Sequence, residues 1–166
     1  MADYTQPTVI QQMIPLADMT SLERLLLEQI FDVETEDDRI YLSAYESPAA
    51  LIWVERTDLE AALAAPENAI YPISEIREQL KCYTWSKTTV MLDVSTSPSW
   101  EDMLHNIVKR SATLKYISAL TSYYCNKMRV DGFGGYVTFI TKNAITGKGT
   151  EDILNEMLDE AGIQFD

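Results

Sequence analysis

Cysteine and histidine are scarce in this sequence of 166 residues, which has two cysteines and one histidine. Two cysteines, Cys82 and Cys125, are too few for the disulfide framework of a small secreted protein or for a zinc site. With a single histidine, His105, most histidine-containing metal sites and catalytic triads are excluded. We therefore expect no metal, no cofactor and no catalytic residues built on these side chains.

Long apolar runs are also missing. Runs such as Leu25–Leu27 and Ala49–Val54 fall far short of the roughly 18 residues that a membrane-spanning helix needs. Residues 1–7 lack the basic and apolar regions of a signal peptide. The composition, 46% apolar and 23% charged, is that of an ordinary globular protein. These features predict a soluble cytoplasmic protein that makes no membrane contact.

Basic residues are few and unevenly placed. The chain has 13 Lys and Arg against 26 Asp and Glu, a net charge of −13. Residues 1–80 carry 16 acids and 4 bases, whereas Met103–Thr150 carries seven bases and one acid. Six more acids follow from Glu151 onward. The chain is therefore acidic, then basic, then acidic, and we expect this order to shape its surface.

Helix starts are the clearest local signals. Thr20-Ser21-Leu22-Glu23 and Thr57-Asp58-Leu59-Glu60 have the form of a capping box, and Ser99 begins a close variant. Weaker starts lie at Ser74 and Thr150. The spacing of apolar residues behind these positions predicts about five helices, the last at Glu151–Ala161 with its apolar stripe in the core and Gly162 just after its end.

Runs of β-branched and aromatic residues predict the strands. The strand candidates are Thr8–Ile14 (an edge strand), Ile40–Tyr45, Leu51–Val54, Thr88–Val94 and Tyr136–Thr141. Thr113–Met128 fits a helix or a strand, and the following Asp131–Gly135, interpreted as a tight turn whose glycines adopt positive φ, favours a strand. The sum is an α+β fold of antiparallel strands and hairpins, either one compact domain or two lobes meeting near residues 66–72.

The basic segment also carries aromatic residues. The interaction-surface candidates in it are Lys109, Arg110, Lys115, Lys127, Arg129, Phe133 and Lys142. Cations beside aromatic rings are typical of single-stranded nucleic-acid binding, but a net charge of −13 repels phosphate. The alternative is that these bases neutralise the acidic part of the same chain or of a second copy. We favour this second interpretation.

Three further motifs each have a structural and a functional interpretation. Gly147-Lys148-Gly149-Thr150, ahead of a helix, is either a flexible loop with a threonine cap or an anion site with Lys148 as the contact. The acidic Glu34–Asp38 lacks the glycine of a calcium loop and is expected to be a solvated loop. His105 and Cys125 could form a nucleophilic pair across space, although nothing local marks Cys125 as reactive.

These observations predict a non-enzymatic protein-interaction or accessory protein, of bacterial or phage type in its compactness. Its partner is expected to be a protein, with a basic patch as one option and a second copy as another, since two-fold assembly is the commonest. In length and acidity the chain resembles the DNA-mimic inhibitors of phages and plasmids, which implies carboxylates spaced like phosphates along one ridge. The third alternative is an anion- or nucleotide-binding module that uses Gly147–Thr150.

Overall fold

The computed structural model describes residues 2–66, 73–82 and 88–163. The helices are α1 (Ser21–Ile30), α2 (Arg56–Ala64), α3 (Ile73–Cys82), α4 (Trp100–Arg110) and α5 (Thr150–Ala161). The strands are β1 (Tyr4–Thr5), β2 (Thr8–Ile10), β3 (Ile14–Pro15), β4 (Asp32–Glu36), β5 (Arg39–Ala44), β6 (Leu51–Glu55), β7 (Thr89–Asp93), β8 (Tyr116–Cys125), β9 (Phe133–Thr141) and β10 (Ile145–Gly149). The predicted α+β fold with antiparallel strands and about five helices is confirmed.

The larger sheet is antiparallel throughout. The strand order begins with β10, β9 and β8. The short strands β1, β2 and β3 follow one another end to end and together occupy the next position, and β5 and β4 complete the sheet. The N-terminal segment predicted as an edge strand therefore lies in the middle, because β2 pairs with β8 on one side and β5 on the other. Its alternation of buried Thr8 and Ile10 around exposed Val9 fits that central position.

The core lies between one face of this sheet and the helices. α4 packs on β8 and β9, and α1 packs against α4, α2 and β6. β6 pairs with β7 in a separate two-stranded sheet, so β5 and β6 do not pair with each other although they are close in sequence. One apolar cluster runs from Ile10 to Ile140. The predicted lobe boundary falls mostly on residues 67–72, which lie outside the described residues.

Two of the predicted helix caps are confirmed and one is wrong. Thr20 accepts a hydrogen bond from the Glu23 N–H at 3.2 Å, and the Glu23 carboxylate accepts one from the Thr20 N–H at 2.9 Å. Ser99 accepts from the Asp102 N–H at 3.2 Å. Thr57, in contrast, lies inside α2, because the Arg56 N–H is already bonded to the Thr88 carbonyl oxygen at 2.7 Å and the helix begins directly from β6.

The acidic segment predicted as a loop is strand β4. Asp32–Glu36 pairs with β5 along its whole length, and Asp37 takes a positive φ of 52° at the turn between them. Acidic residues are poor strand formers on their own. The pairing edge of β5 therefore determines the conformation here, and the charged side chains remain exposed.

The glycine-rich segments differ from their predicted form. Asp131–Gly135 is not a turn of positive-φ glycines, since Gly134 and Gly135 belong to β9 and Gly162 is the described glycine with positive φ. Gly132 allows close approach instead, because a Cβ there would lie 2.2 Å from the Cβ of Cys125. Gly147-Lys148-Gly149 is part of β10, not a loop.

α5 ends where the sequence predicts, but Gly149 and not Thr150 is its N-cap, and the helix is not in the core. Gly162 terminates it with φ 69°, and the Ile163 N–H bonds back to the Leu158 carbonyl oxygen at 3.0 Å. None of its residues is buried. In the described part of the chain, no helix is long and apolar enough to cross a membrane.

Candidate functional site

The face of the large sheet that points away from the core carries a patch of exposed apolar side chains. Paired residues of an antiparallel sheet share a face, and Val9, Leu120 and Val137 form one row across β2, β8 and β9. The alternation along β8 and β9 adds four aromatic residues to the same side. We call this patch the open face; its members are Val9, Tyr116, Leu120, Tyr124, Phe133, Val137 and Phe139.

Each side chain of the open face is between 36% and 47% exposed. The aromatic residues pack in two pairs at opposite ends of the β8–β9 hairpin. Tyr116 and Phe139 have ring centroids 5.3 Å apart, and Tyr124 and Phe133 meet edge to face at 5.6 Å. These contacts fix the rings in place while leaving nearly half of each exposed, so the patch is preformed.

The predicted basic residues do not form one continuous surface. Lys115 and Lys142 lie at one end of the β8–β9 hairpin, near the end of α4 with Lys109 and Arg110. Lys127 and Arg129 lie at the other end, in the connection between the two strands. A ten-residue strand such as β8 is about 33 Å long. The cations therefore lie in two groups beyond the two ends of the hairpin, and the apolar residues of the open face lie between those ends.

Several of these cations already have partners within the chain. Arg110 pairs with the buried carboxylate of Glu23 and donates to the Asp18 carbonyl oxygen. Lys142 donates to the Ser111 carbonyl oxygen at 3.0 Å, and Arg129 donates to the Tyr4 hydroxyl. That hydroxyl contact raises the pKa of Arg129 further above its usual value. Lys109, Lys115 and Lys127 form no ion pair with an acid among the described residues.

The candidate anion site, Gly147 to Thr150, is occupied by contacts within the chain. Lys148 pairs with Glu156 of α5. The Gly149 N–H donates to the Asp152 carboxylate at 2.7 Å, and the Thr150 hydroxyl accepts from the Gly135 N–H at 3.3 Å. Gly147 accommodates the ring of Tyr136, which would lie within 2.5 Å of a Cβ there. The glycines therefore allow close packing of neighbouring side chains, and Glu151 and Asp152 occupy the first turn of α5.

A cleft of about 360 Å³ opens on the opposite side of the sheet. It lies where the core-side face of β2, β8 and β9 meets the start of α4 and the segment Ser47–Ala50. The lining has many hydroxyl groups, among them those of Thr8, Thr121, Tyr123 and Tyr136. No Lys, Arg, His or Cys lines this cleft in the described part of the chain. Such a lining suits hydrogen bonding to a polar group that carries no negative charge.

Glu101 is the one acidic residue among the cleft's described lining residues. Burial raises the pKa of its carboxyl group, and hydrogen bonds from its own N–H and from Ser99 oppose that rise in part. A carboxyl group with a raised pKa in a cleft is the type of group that can donate a proton. Nothing in the sequence distinguishes Glu101 from the other 25 acids, because its burial comes from segments distant in the chain.

His105 and Cys125 lie in different parts of the fold. His105 is within α4, and its Nε2 is buried with no hydrogen-bond partner among the residues that the structure describes. Cys125 ends β8, is fully buried and packs against Gly132. No described contact joins the two residues, and the thiol acts as a small apolar side chain beside the β8–β9 connection.

Of the residues of the open face, only Phe133 is among the interaction-surface candidates that the sequence predicts. Tyr116, Tyr124 and Phe139 are aromatics of the basic segment, whereas Val9, Leu120 and Val137 carry no signal beyond being apolar. Strand periodicity could have grouped the residues of β8, but the side covered by helices follows only from the tertiary fold. No protein-family model matches this sequence, and neither curated proteins nor solved structures show a significant similarity to it.

Proposed function

We propose that this chain is a protein-interaction protein that binds its partner through the open face. The observation that carries the proposal is the row of half-exposed apolar side chains on one face of an antiparallel sheet. Isolated apolar residues on a surface need no explanation, but a contiguous patch of seven is typical of interaction sites. Burial of such a patch favours association by about 25 cal/mol per Å².

A protein partner fits the open face better than a nucleic acid does. The register of β4 places Asp32, Glu34 and Glu36 on the same side of the sheet as the open face. A phosphate backbone crossing this side would meet those carboxylates as well as the overall charge of −13. The aromatic rings are also in contact with each other in pairs, whereas stacked bases need accessible ring faces.

The test compares two leucines in the same kind of position. Leu120 of the open face is 38% exposed and Leu51 of β6 is 53% exposed, so Leu120→Lys and Leu51→Lys make the same chemical change on two surfaces. Each variant is immobilised and incubated with a lysate of the source organism, and the retained proteins are quantified by mass spectrometry.

We expect at least one protein to be retained by the unchanged chain and by Leu51→Lys, and lost with Leu120→Lys. The same set of retained proteins with all three chains contradicts the proposal. Circular dichroism of each variant checks that the substitution leaves the fold intact.

A further inference from the structure

We propose that the partner of the open face is a second copy of this chain, and that α5 of each copy covers the open face of the other. This inference rests on the proposed function and adds the identity of the partner. It depends on a second apolar surface in the same molecule, on the charges around both surfaces, and on their combined area.

α5 has an apolar stripe that the described residues of its own chain leave about half exposed. Ile153, Leu154 and Met157 are 46%, 51% and 62% exposed, and their spacing places them on one side of the helix. Ile163, just after the helix, is 55% exposed. An amphipathic helix in a globular protein normally buries its apolar side, since packing provides most of its stability. The exposed stripe of α5 therefore indicates a missing partner.

α5 and the segments just beyond the two ends of β8 carry charges of opposite sign. α5 carries five acids, Glu151, Asp152, Glu156, Asp159 and Glu160, and no base. Lys115 and Lys127 lie just beyond the two ends of β8 and form no ion pair with a described acid. The carboxylates of Asp32, Glu34 and Glu36 lie on the open side as well, but on β4, at the opposite edge of the sheet from β10. The acidic α5 of a second copy is therefore expected to lie along β8 and β9, away from the carboxylates of β4. Charge complementarity of this kind selects the partner and its orientation.

The available area agrees with that of a stable dimer. With aromatic side chains of about 150–250 Å² each, the exposed part of the open face amounts to roughly 500 Å², and the stripe of α5 with Ile163 adds about 300 Å². Together they approach the roughly 800 Å² per partner of a standard interface. A two-fold dimer buries both surfaces of both copies at once. A different protein would need to offer both an acidic helix and a receiving surface for α5.

Sedimentation velocity over a dilution series of the full chain tests the inference. The variants are Leu120→Lys in the open face, Leu154→Lys in α5, and Leu51→Lys in β6 as the matched control. We expect the unchanged chain and Leu51→Lys to sediment as dimers, and both other variants to have a dimer dissociation constant raised by at least about tenfold, the effect of losing roughly 1.4 kcal/mol of binding energy. Leu154 has no buried environment to disturb, so its variant separates lost association from lost folding.

Three outcomes would overturn the inference. A chain that stays monomeric at every concentration excludes the second copy, and the proposed function survives if the lysate protein is still lost with Leu120→Lys. Equal weakening by Leu120→Lys and Leu51→Lys shows that the open face is not the interface. Dissociation caused by Leu120→Lys but not by Leu154→Lys overturns the role of α5.

Discussion

Arg110 belongs to the basic segment by sequence, but its contacts are those of a structural residue. Its guanidinium pairs with Oε2 of Glu23, whose side chain is almost completely buried and whose Oε1 has no hydrogen-bond partner among the described residues. The same carboxylate completes the capping box of α1. One cation therefore neutralises the charge at the start of α1 and links that helix to the end of α4.

Removal of this cation is expected to destabilise the fold strongly. Arg110→Ala leaves the Glu23 carboxylate buried without a counter-charge, and we expect the free energy of unfolding to fall by about 3 kcal/mol. Urea unfolding measures this change. Lys109→Ala is the control, because it removes the same charge from an exposed neighbour and is expected to change stability by less than about 0.5 kcal/mol. Equal effects of the two substitutions would show that the Glu23 pair contributes nothing.

At the scale of the helices, the two similar capping sequences behave differently. Thr20 is the N-cap of α1, whereas Thr57 is inside α2, which starts from Glu55 without a side-chain cap. We expect Thr20→Ala to reduce the free energy of unfolding by about 1 kcal/mol, since an orphan N–H loses its acceptor. Thr57→Ala is expected to stay within about 0.5 kcal/mol of the unchanged chain. Denaturant unfolding of both variants checks this, and a loss at Thr57 as large as at Thr20 would contradict the observed start of α2.

Local patterns predicted the elements whose own residues determine them. The caps at Thr20 and Ser99 and the end of α5 at Gly162 depend on contacts within a few residues, and all three are found where expected. β4 could not be predicted in this way, because its acidic residues become a strand only by pairing with β5. The uncovered state of α5 also has no local signal, since its amphipathic pattern is the same whether a core or a partner covers it.

The two surface features were predictable to different degrees. The aromatics of the open face were visible in the sequence, and preference for a strand at Thr113–Met128 was correct. Their alignment with Val9 required knowledge that β2 pairs with β8, a contact between residues more than 100 positions apart. The cleft around Glu101 joins segments from Gln6 to Thr138, so neither its existence nor the raised pKa follows from any local pattern.

At the scale of the whole molecule, the distribution of buried residues predicts which elements unfold locally most easily. β8 is hydrogen-bonded on both edges and faces the core, whereas α5 has no buried residue and borders β9 and β10 at the end of the sheet. Amides in a weakly covered element exchange through local opening, and those in a central strand require much larger unfolding. α5 should therefore be the less stable of the two unless something outside its own chain covers it.

Hydrogen–deuterium exchange measured by mass spectrometry tests this predicted difference in local stability between α5 and β8. In the Leu120→Lys chain, which we expect to be monomeric, peptides from residues 150–163 should exchange at least roughly tenfold faster than those from 116–125, because local opening of α5 costs little free energy. In the unchanged chain at high concentration, the same α5 peptides should become protected, since a partner that binds only the folded helix stabilises it by mass action. Dilution should remove that protection. Strong protection of α5 in the monomeric variant would mean that its apolar stripe is covered within one chain, which contradicts both the exposed helix and the dimer built on it.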